Sequence, residues 1–302
     1  NNPVIIWGGD HHNTLGVIRS LGERRIYPYV MIIKCDNMRS FVLKSRYVKE
    51  GWIFSSDIAC CEFILNQFSN SRSKAIIIAT SDNAISCIDM NYDRLIQHFY
   101  IPNGAGPGRL TRLMDKKIIS KLAFESGLTI PKIWCNIDIS KLDNIEFPCI
   151  VKPLKSITGE KSDISIIEDK AHLEEYLANK NADNYIIEKY IEKRFEFQLI
   201  GCSLDGGKEV IIPGYTKIIR APYYTNTGYL QYILTNEIDR ELKLNIELCK
   251  HLIEKCMYTG LFSMEFVKGV DNRNYFLEIN FRNDGNAYSA TASGCNLPFL
   301  FV

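Results

Sequence analysis

The stretch from Phe262 to Arg282, F-S-M-E-F-V-K-G-V-D-N-R-N-Y-F-L-E-I-N-F-R, constrains this chain most. Two apolar runs flank one short polar cluster, so the segment reads as an antiparallel hairpin. If Asp271 and Asn272 form a two-residue loop, Val270 pairs with Arg273 and Glu265 falls directly opposite Glu278. The two-residue period of a strand then adds Asn280 and Arg282 to that face, while Leu277, Ile279 and Phe281 point into a core. A loop one residue longer or shorter would place the glutamates on opposite faces. Opposed like charges with Cβ atoms roughly 5 Å apart are destabilising unless neutralised. Two carboxylates and an amide oxygen suit Mg²⁺, which is held by one or two carboxylates together with substrate phosphates. A solvated hairpin whose glutamates pair with lysines is the plain alternative.

The remainder is an ordinary globular composition: 302 residues, 46% apolar, 24% charged, formal charge +1. That length accommodates two or three domains. The charge implies no nucleic-acid partner, and no apolar run is long enough to span a bilayer. Ten cysteines lack C-x-x-C spacing and several fall inside apolar patterns, which suits reduced buried thiols and a cytoplasmic setting. Five histidines show no H-x-x-x-H pattern, so zinc is not expected. The chain starts Asn1-Asn2 rather than Met, consistent with a trimmed N-terminus, and the apolar end Pro298 to Val302 reads as interrupted, with further residues expected beyond it.

Residues 3 to about 100 alternate strand and helix: Val4–Trp7, a helix through Ile18 and Leu21, Tyr29–Ile33, weak strand signals at Trp52 and Ile53, a helix Ile58–Phe68, a strand Lys74–Ala79 and a helix from Asn83 to Met90. Such alternation predicts a parallel sheet with helices on its faces and a binding crevice at the carboxyl ends of its strands. The loops Gly8–Asn13 and Thr80–Asn83 lie there, and Asp10 and Asp82 are candidates for substrate contact or for turn and capping roles. The G-G-D-H-H-N turn lacks the G-x-G-x-x-G spacing of a dinucleotide fingerprint. Pro102 to Gly108 is a Gly/Pro-rich connector.

Beyond it, a helix from about Asp115 to Gly127 carries Lys116 and Lys117 in its first turn, where cations oppose the helix dipole but would meet a phosphate well. Phe147–Pro153 is a strand bearing Lys152, and Leu154–Asp163 is a cationic, hydroxyl-rich loop able to fold over phosphates or to sit solvated as a hairpin loop. Asn184–Ile191 reads as a strand entering an extended hinge whose backbone can read an adenine edge, with Glu196 next in line for ribose hydroxyls. Strands Phe195–Ile200, Glu209–Ile212 and Tyr215–Ile219 deliver Lys217 and Arg220 towards the same region. A helix Glu241–Cys256 leads into the hairpin.

Taken in this order, Asp115-Lys116, F-P-C-I-V-K-P around Lys152, I-I-E-K-Y-I ending at Ile191, and M-E-F followed by L-E-I-N-F-R, the chain resembles the ATP-grasp superfamily along its whole length. The G-G-D turn, R-S-L-G at Arg19–Gly22, S-R-Y at 45–47 and T-S-D at 80–82 are similar to its carboxylate-amine ligase branch, which includes D-aspartate ligases and carbamoyl-phosphate-synthase-like proteins. The resemblance implies an α/β chain: a Rossmann-like pre-ATP-grasp domain at 1–101, then an α+β ATP-grasp domain at 102–302 whose two subdomains sandwich ATP, with a small lid at about 120–190. It implies Lys116 and Lys152 at the ATP phosphates, Glu188, Lys189 and Ile191 at the adenine, and Glu196 at the ribose. Glu265, Glu278 and Asn280 would hold Mg²⁺, or Mn²⁺ in its place. Arg282, assisted by Lys217 or Arg220, would serve the transferred phosphate. By position, Asn283, Asp284 and Asn286, just past the metal strand, are candidates for holding the acceptor, and N-D-G-N is equally a good turn. The expected activity is ATP-dependent amide formation between a small carboxylate, such as an amino acid, and an amine through an acyl phosphate. Bicarbonate-using carboxylase chemistry or ATP binding without ligase activity are the alternatives, and a homodimer is compatible.

Overall fold

A computed structural model describes residues 2–34, 39–134, 144–154, 164–178, 180–181, 184–220, 229–234 and 242–302, with Arg220 described by its backbone alone. Residues 155–163 of the expected loop Leu154–Asp163 lie outside the described residues.

The N-terminal unit is a parallel sheet of β1 (Val4–Gly9), β2 (Tyr29–Ile33), β3 (Glu50–Phe54), β4 (Ala75–Ala79) and β5 (Phe99–Tyr100) in the order β3-β2-β1-β4-β5. Helices α1 (His12–Gly22), α2 (Asp57–Phe68), α3 (Asp82–Met90) and α4 (Tyr92–Leu95) connect the strands. The unbroken apolar runs of β1 and β4 suit strands covered on both faces. Ser56 and Ser81 cap α2 and α3 by accepting from Ala59 N and Ala84 N. The order reverses between β1 and β4, and this opens a crevice at their carboxyl ends.

After the connector come α5 (Arg109–Leu113) and α6 (Lys116–Glu125), the latter capped by Asp115. A small antiparallel sheet follows, ordered β6 (Ile133–Trp134), β9 (Tyr185–Lys189), β7 (Cys149–Pro153), β8 (Ser165–Ile167), with α7 (Lys170–Leu177) beside it. It has its own core of Cys149, Val151, Ile167, Leu173, Leu177 and Ile187.

The third layer is an antiparallel sheet of β10 (Lys193–Leu204), β11 (Glu209–Arg220), β12 (Tyr229–Leu234), β13 (Gly260–Gly269) and β14 (Asn274–Asn280), ordered β12-β11-β10-β13-β14. Glu209–Ile219, expected as two strands, is one long strand. On one face Phe197, Leu199, Tyr215, Met264, Phe266, Phe276 and Ile279 share a core with Cys249, Leu252 and Ile253 of α8 (Ile246–Cys256). A second cluster joins Val17, Ile18 and Leu21 of α1 to Ile200, Cys202 and Leu261, sealing the parallel sheet against the antiparallel one. Leu297 of α10 (Leu297–Phe301) belongs to the same cluster, which follows α9 (Tyr288–Ala292).

The hairpin that governs the site reaches the expected pairing by an unexpected route. Gly269 N donates to Arg273 O, so the loop has three residues, with Asn272 in the left-handed region at φ 63°. Val270 and Arg273 therefore do not pair. The ladder runs Lys268↔Asn274, Val267↔Tyr275 and Phe266↔Phe276, then shifts by one so that Glu265 opposes Glu278. Leu277 is the extra residue of a β-bulge, and the bulge cancels the longer loop. As a consequence Leu277 lines the cavity described below instead of joining Ile279 and Phe281 in the core.

Candidate active site

The polar face of the antiparallel sheet and the crevice of the parallel sheet bound one cavity of about 730 Å³. From the parallel sheet come His11, His12, Asn13, Thr80, Ser81 and Asp82, and from the antiparallel sheet Glu196, Gln198, Thr216, Glu265 and, past β14, Arg282, Asp284 and Asn286. The β1 and β4 turns are brought there because the N-terminal unit docks onto the end of β14. Asn13 Nδ2 donates to Asn283 O at 2.7 Å and to Thr80 O at 2.9 Å, Asn283 Nδ2 donates to Asn13 Oδ1 at 2.6 Å, and Asn283 N donates to Ala79 O at 3.2 Å.

Glu265 Oε1 accepts from Gln198 Nε2 and from Asn280 Nδ2, each at 3.2 Å. Glu278 Oε2 lies 3.5 Å from Lys116 Nζ, so the first-turn lysine of α6 reaches the carboxylate pair. Gln198 also donates to Asp284 Oδ2 at 3.0 Å and accepts from Asn286 Nδ2 at 3.3 Å, linking the carboxylate floor to the N-D-G-N turn. Arg282 donates through Nε to Asp82 Oδ1 at 2.9 Å and through Nη2 to Asp82 Oδ2 at 3.3 Å. Burial pulls its guanidinium pKa down, but the charges of Asp82, Asp284 and Glu265 outweigh that and hold it above the ordinary value. His11 Nδ1 accepts from Asn13 N, capping α1. Burial, followed by His12 and Arg282 nearby, holds its imidazole below the usual range.

Glu265, Glu278 and the Asn280 amide are hard oxygen donors on one face, and among the described residues no group of three His, Cys, Asp or Glu forms a protein-only cage. That combination fits a magnesium ion completed by phosphate oxygens rather than a closed structural site.

The other predicted residues are placed as follows. Lys152 and Glu188 are buried and bond to each other, Nζ to Oε2 at 2.5 Å, across β7 and β9. Lys189 is exposed and donates to Glu146 at 2.7 Å; that carboxyl, flanked by Lys132 and Lys189, is held at about 2. Ile191 is half-buried at the turn end of the hairpin beside Gly269. Glu196 lines the cavity and accepts from Lys193 at 2.6 Å. Lys217 is not delivered to the cavity: Thr216 and Ile218 face it, and strand alternation turns Lys217 to the other side, where its Nζ stands 4.2 Å from the Phe195 ring centroid. The Arg220 side chain lies outside the described residues. Asp10 accepts from Ser40, Val42 N and Lys34, so it pins the segment after β2 rather than facing the cavity. Asn283 is 2% exposed and belongs to the seam with Asn13 rather than to the acceptor space. Sequence reasoning missed Gln198, His11 and His12. Gln198 was legible as a polar residue two places from Glu196 in an otherwise apolar strand, and the histidines directly follow Asp10 in the crevice turn.

This arrangement, a parallel-sheet unit, a small antiparallel sheet and a larger one carrying paired glutamates, is the ATP-grasp fold, shared with the solved structures it resembles. The L-amino acid ligase from Bacillus licheniformis superposes with a TM-score of 0.73 at 14% identity, covering 99% of this chain and 73% of that one. A biotin carboxylase from Campylobacter jejuni, solved with β,γ-ATP, gives 0.71 at 15% identity over 100% and 70%. N5-carboxyaminoimidazole synthetase from Staphylococcus aureus gives 0.69 at 16% over 95% and 72%. By sequence, a formate-dependent phosphoribosylglycinamide formyltransferase from Bacteroides fragilis is 26% identical over 195 residues, 61% of this chain and 49% of that protein. The chain therefore spans about half the length of that curated relative. No family model matches the sequence. Among the described residues no helix is long and apolar enough to cross a membrane.

Proposed function

We propose that this chain is an ATP-dependent carboxylate-amine ligase that activates a small carboxylate as an acyl phosphate and passes the acyl group to an amine. The observation that carries the reading is the register of Glu265 against Glu278, with Glu265 and Arg282 lining the cavity and Asn280 hydrogen-bonded to both, while Glu278 and Asn280 border a small adjoining space with Lys116. In the first step a carboxylate oxygen attacks the γ-phosphorus and the bond to the β–γ bridging oxygen breaks, giving acyl phosphate and ADP. In the second step the amine nitrogen attacks the acyl carbon, phosphate departs, and the nitrogen loses a proton.

Such transfers need positioning and charge neutralisation more than covalent help from the protein. Lys116 and Arg282 supply positive charge at the two ends of the carboxylate floor, and Glu196 offers an acceptor for ribose hydroxyls. Gln198 orients Glu265 and the N-D-G-N turn together. Lys152, freed from Glu188, would reach phosphate from the small sheet. A Mg²⁺ held by Glu265, Glu278 and Asn280, or Mn²⁺ in its place, would offset phosphate charge. The cavity lining includes His11, His12, Asp82, Asn83 and Asn286, polar groups that favour small polar substrates such as amino acids. We assign residues 1–101 and 102–302 as the two domains, with about 120–190 as the lid. Eight described cysteines are free and all but Cys295 are buried, in keeping with a reducing, cytoplasmic setting.

ADP release from Mg·ATP with a panel of amino acids and small carboxylates, taken singly and in pairs, tests the reading. Release that requires both a carboxylate and an amine is expected. ATP binding with no pair yielding ADP would overturn it.

A further inference from the structure

Arg282 stands beside the metal floor, yet what orients it comes from the other end of the chain. Its strand neighbours contribute one long bond each, from Nη2 to Asn280 Oδ1 at 3.4 Å and from Nη1 to Asn283 O at 3.3 Å. The two bonds that fix the guanidinium plane go to both oxygens of Asp82, at 2.9 and 3.3 Å. A guanidinium has five N–H groups in a rigid fork, so these four bonds leave one N–H for a ligand.

Asp82 is itself well anchored. It opens α3, where a carboxylate complements the helix dipole, directly after the cap Ser81. The neighbouring bond from Asn283 N to Ala79 O and the paired amides of Asn13 and Asn283 clamp the two chain segments together. Asp82 therefore turns towards a partner rather than towards open solvent. The other carboxylates whose charges act on Arg282 are Asp284 and Glu265, the second of which belongs to the metal floor.

We propose that Asp82 is a positioning residue: it holds Arg282 in the plane needed at the transferred phosphate and keeps that arginine off Glu265. The N-terminal unit thereby completes the reaction centre. The inference rests on the ligase reading above.

Asp82→Asn keeps the shape and removes the charge, while Asp82→Glu keeps the charge. Misplacement of a reacting group by about 1 Å costs about 10²-fold. Asp82→Asn is accordingly expected to lower kcat by about that factor, to leave KM for ATP within about 3-fold, and to raise the Mg²⁺ concentration for half-maximal rate as Arg282 moves onto Glu265. Asp82→Glu should recover a large part of kcat. The Arg282 Nε–H resonance in ¹⁵N NMR, protected in the wild type, should shift and exchange faster in Asp82→Asn. An unchanged Nε–H signal, or a normal kcat and Mg²⁺ dependence with only the acceptor KM raised, would overturn the proposal. So would equal loss of activity in both variants accompanied by equal loss of thermal stability. If the wild type releases no ADP with any substrate pair, the ligase reading fails, and the NMR signal still decides whether Asp82 holds Arg282.

Discussion

Replacing Asn283 by Ala separates a structural asparagine from a substrate-binding one. Asn283 is 2% exposed and its partner Asn13 is 5% exposed, so water cannot replace what is lost. The Nδ2 group donates to Asn13 Oδ1 and to Asp284 O. Among the described residues Asn283 Oδ1 has no hydrogen-bond partner, so its removal leaves no donor bare. A buried acceptor left without its donor costs about 1–3 kcal/mol. Asp284 O keeps the Ala287 amide at 3.1 Å, so Asn13 Oδ1 is the acceptor left bare and Asn283→Ala should destabilise the chain by about 1–3 kcal/mol. Asn13→Ala should cost a similar amount, because Thr80 O and Asn283 O each lose a donor. The double variant removes both halves of the amide pair and leaves fewer orphaned groups, so the coupling energy should be about 1–2 kcal/mol and the losses should not add. Equilibrium urea unfolding measures this, with Trp7 fluorescence reporting the parallel-sheet core in which that residue is fully buried. Single-variant effects below about 0.5 kcal/mol, or strict additivity, would refute the argument and return Asn283 to the acceptor space.

Glu278→Gln should abolish Mg²⁺-dependent turnover while the melting temperature holds, since Glu278 is partly exposed and its tie to Lys116 is 3.5 Å long; loss of folding would assign it to the scaffold instead. Glu188→Gln strands the buried Lys152 charge and should cost about 3–5 kcal/mol, with Mg·ATP restoring more stability than in the wild type, read by thermal unfolding with and without nucleotide. His11 should titrate below the ordinary histidine value of about 6.5 in an NMR pH series. Its depressed folded pKa means that its contribution is present above the unfolded value and is lost as pH falls through the folded one. Protonation at Nδ1 also removes the α1 cap, so the Asn13 amide resonance should shift over the same window.

The elements were largely legible because their signals are local. The V-I-I-W and A-I-I-I-A runs mark buried parallel strands, and serine caps mark α2 and α3. The facing of Glu265 and Glu278 was also legible, but for an incomplete reason: a two-residue loop was expected, and a three-residue loop plus a bulge at Leu277 produce the same pairing. Neither irregularity has a strong sequence signature, since Asn272 in the left-handed region is available to many asparagines and a bulged leucine looks like any strand leucine. Contacts across the chain were not legible. Asp82 and Arg282 are 200 positions apart, and nothing near either names the other. Lys217 was misassigned because β11 is one continuous strand whose alternation directs Thr216 and Ile218, not the lysine, into the cavity. Lys152 and Glu188 looked like separate ligand contacts, and only the pairing of β7 with β9 joins them.

The central claim, that the Glu265–Glu278 floor and Arg282 serve acyl-phosphate formation, is tested most directly by isotope transfer. With a substrate pair that supports ADP release, the carboxylate is labelled with ¹⁸O and the inorganic phosphate is analysed by mass. One ¹⁸O per phosphate is predicted, because the carboxylate oxygen that attacked phosphorus leaves with it. Phosphate carrying oxygen from solvent alone, or release of AMP in place of ADP, would contradict the account.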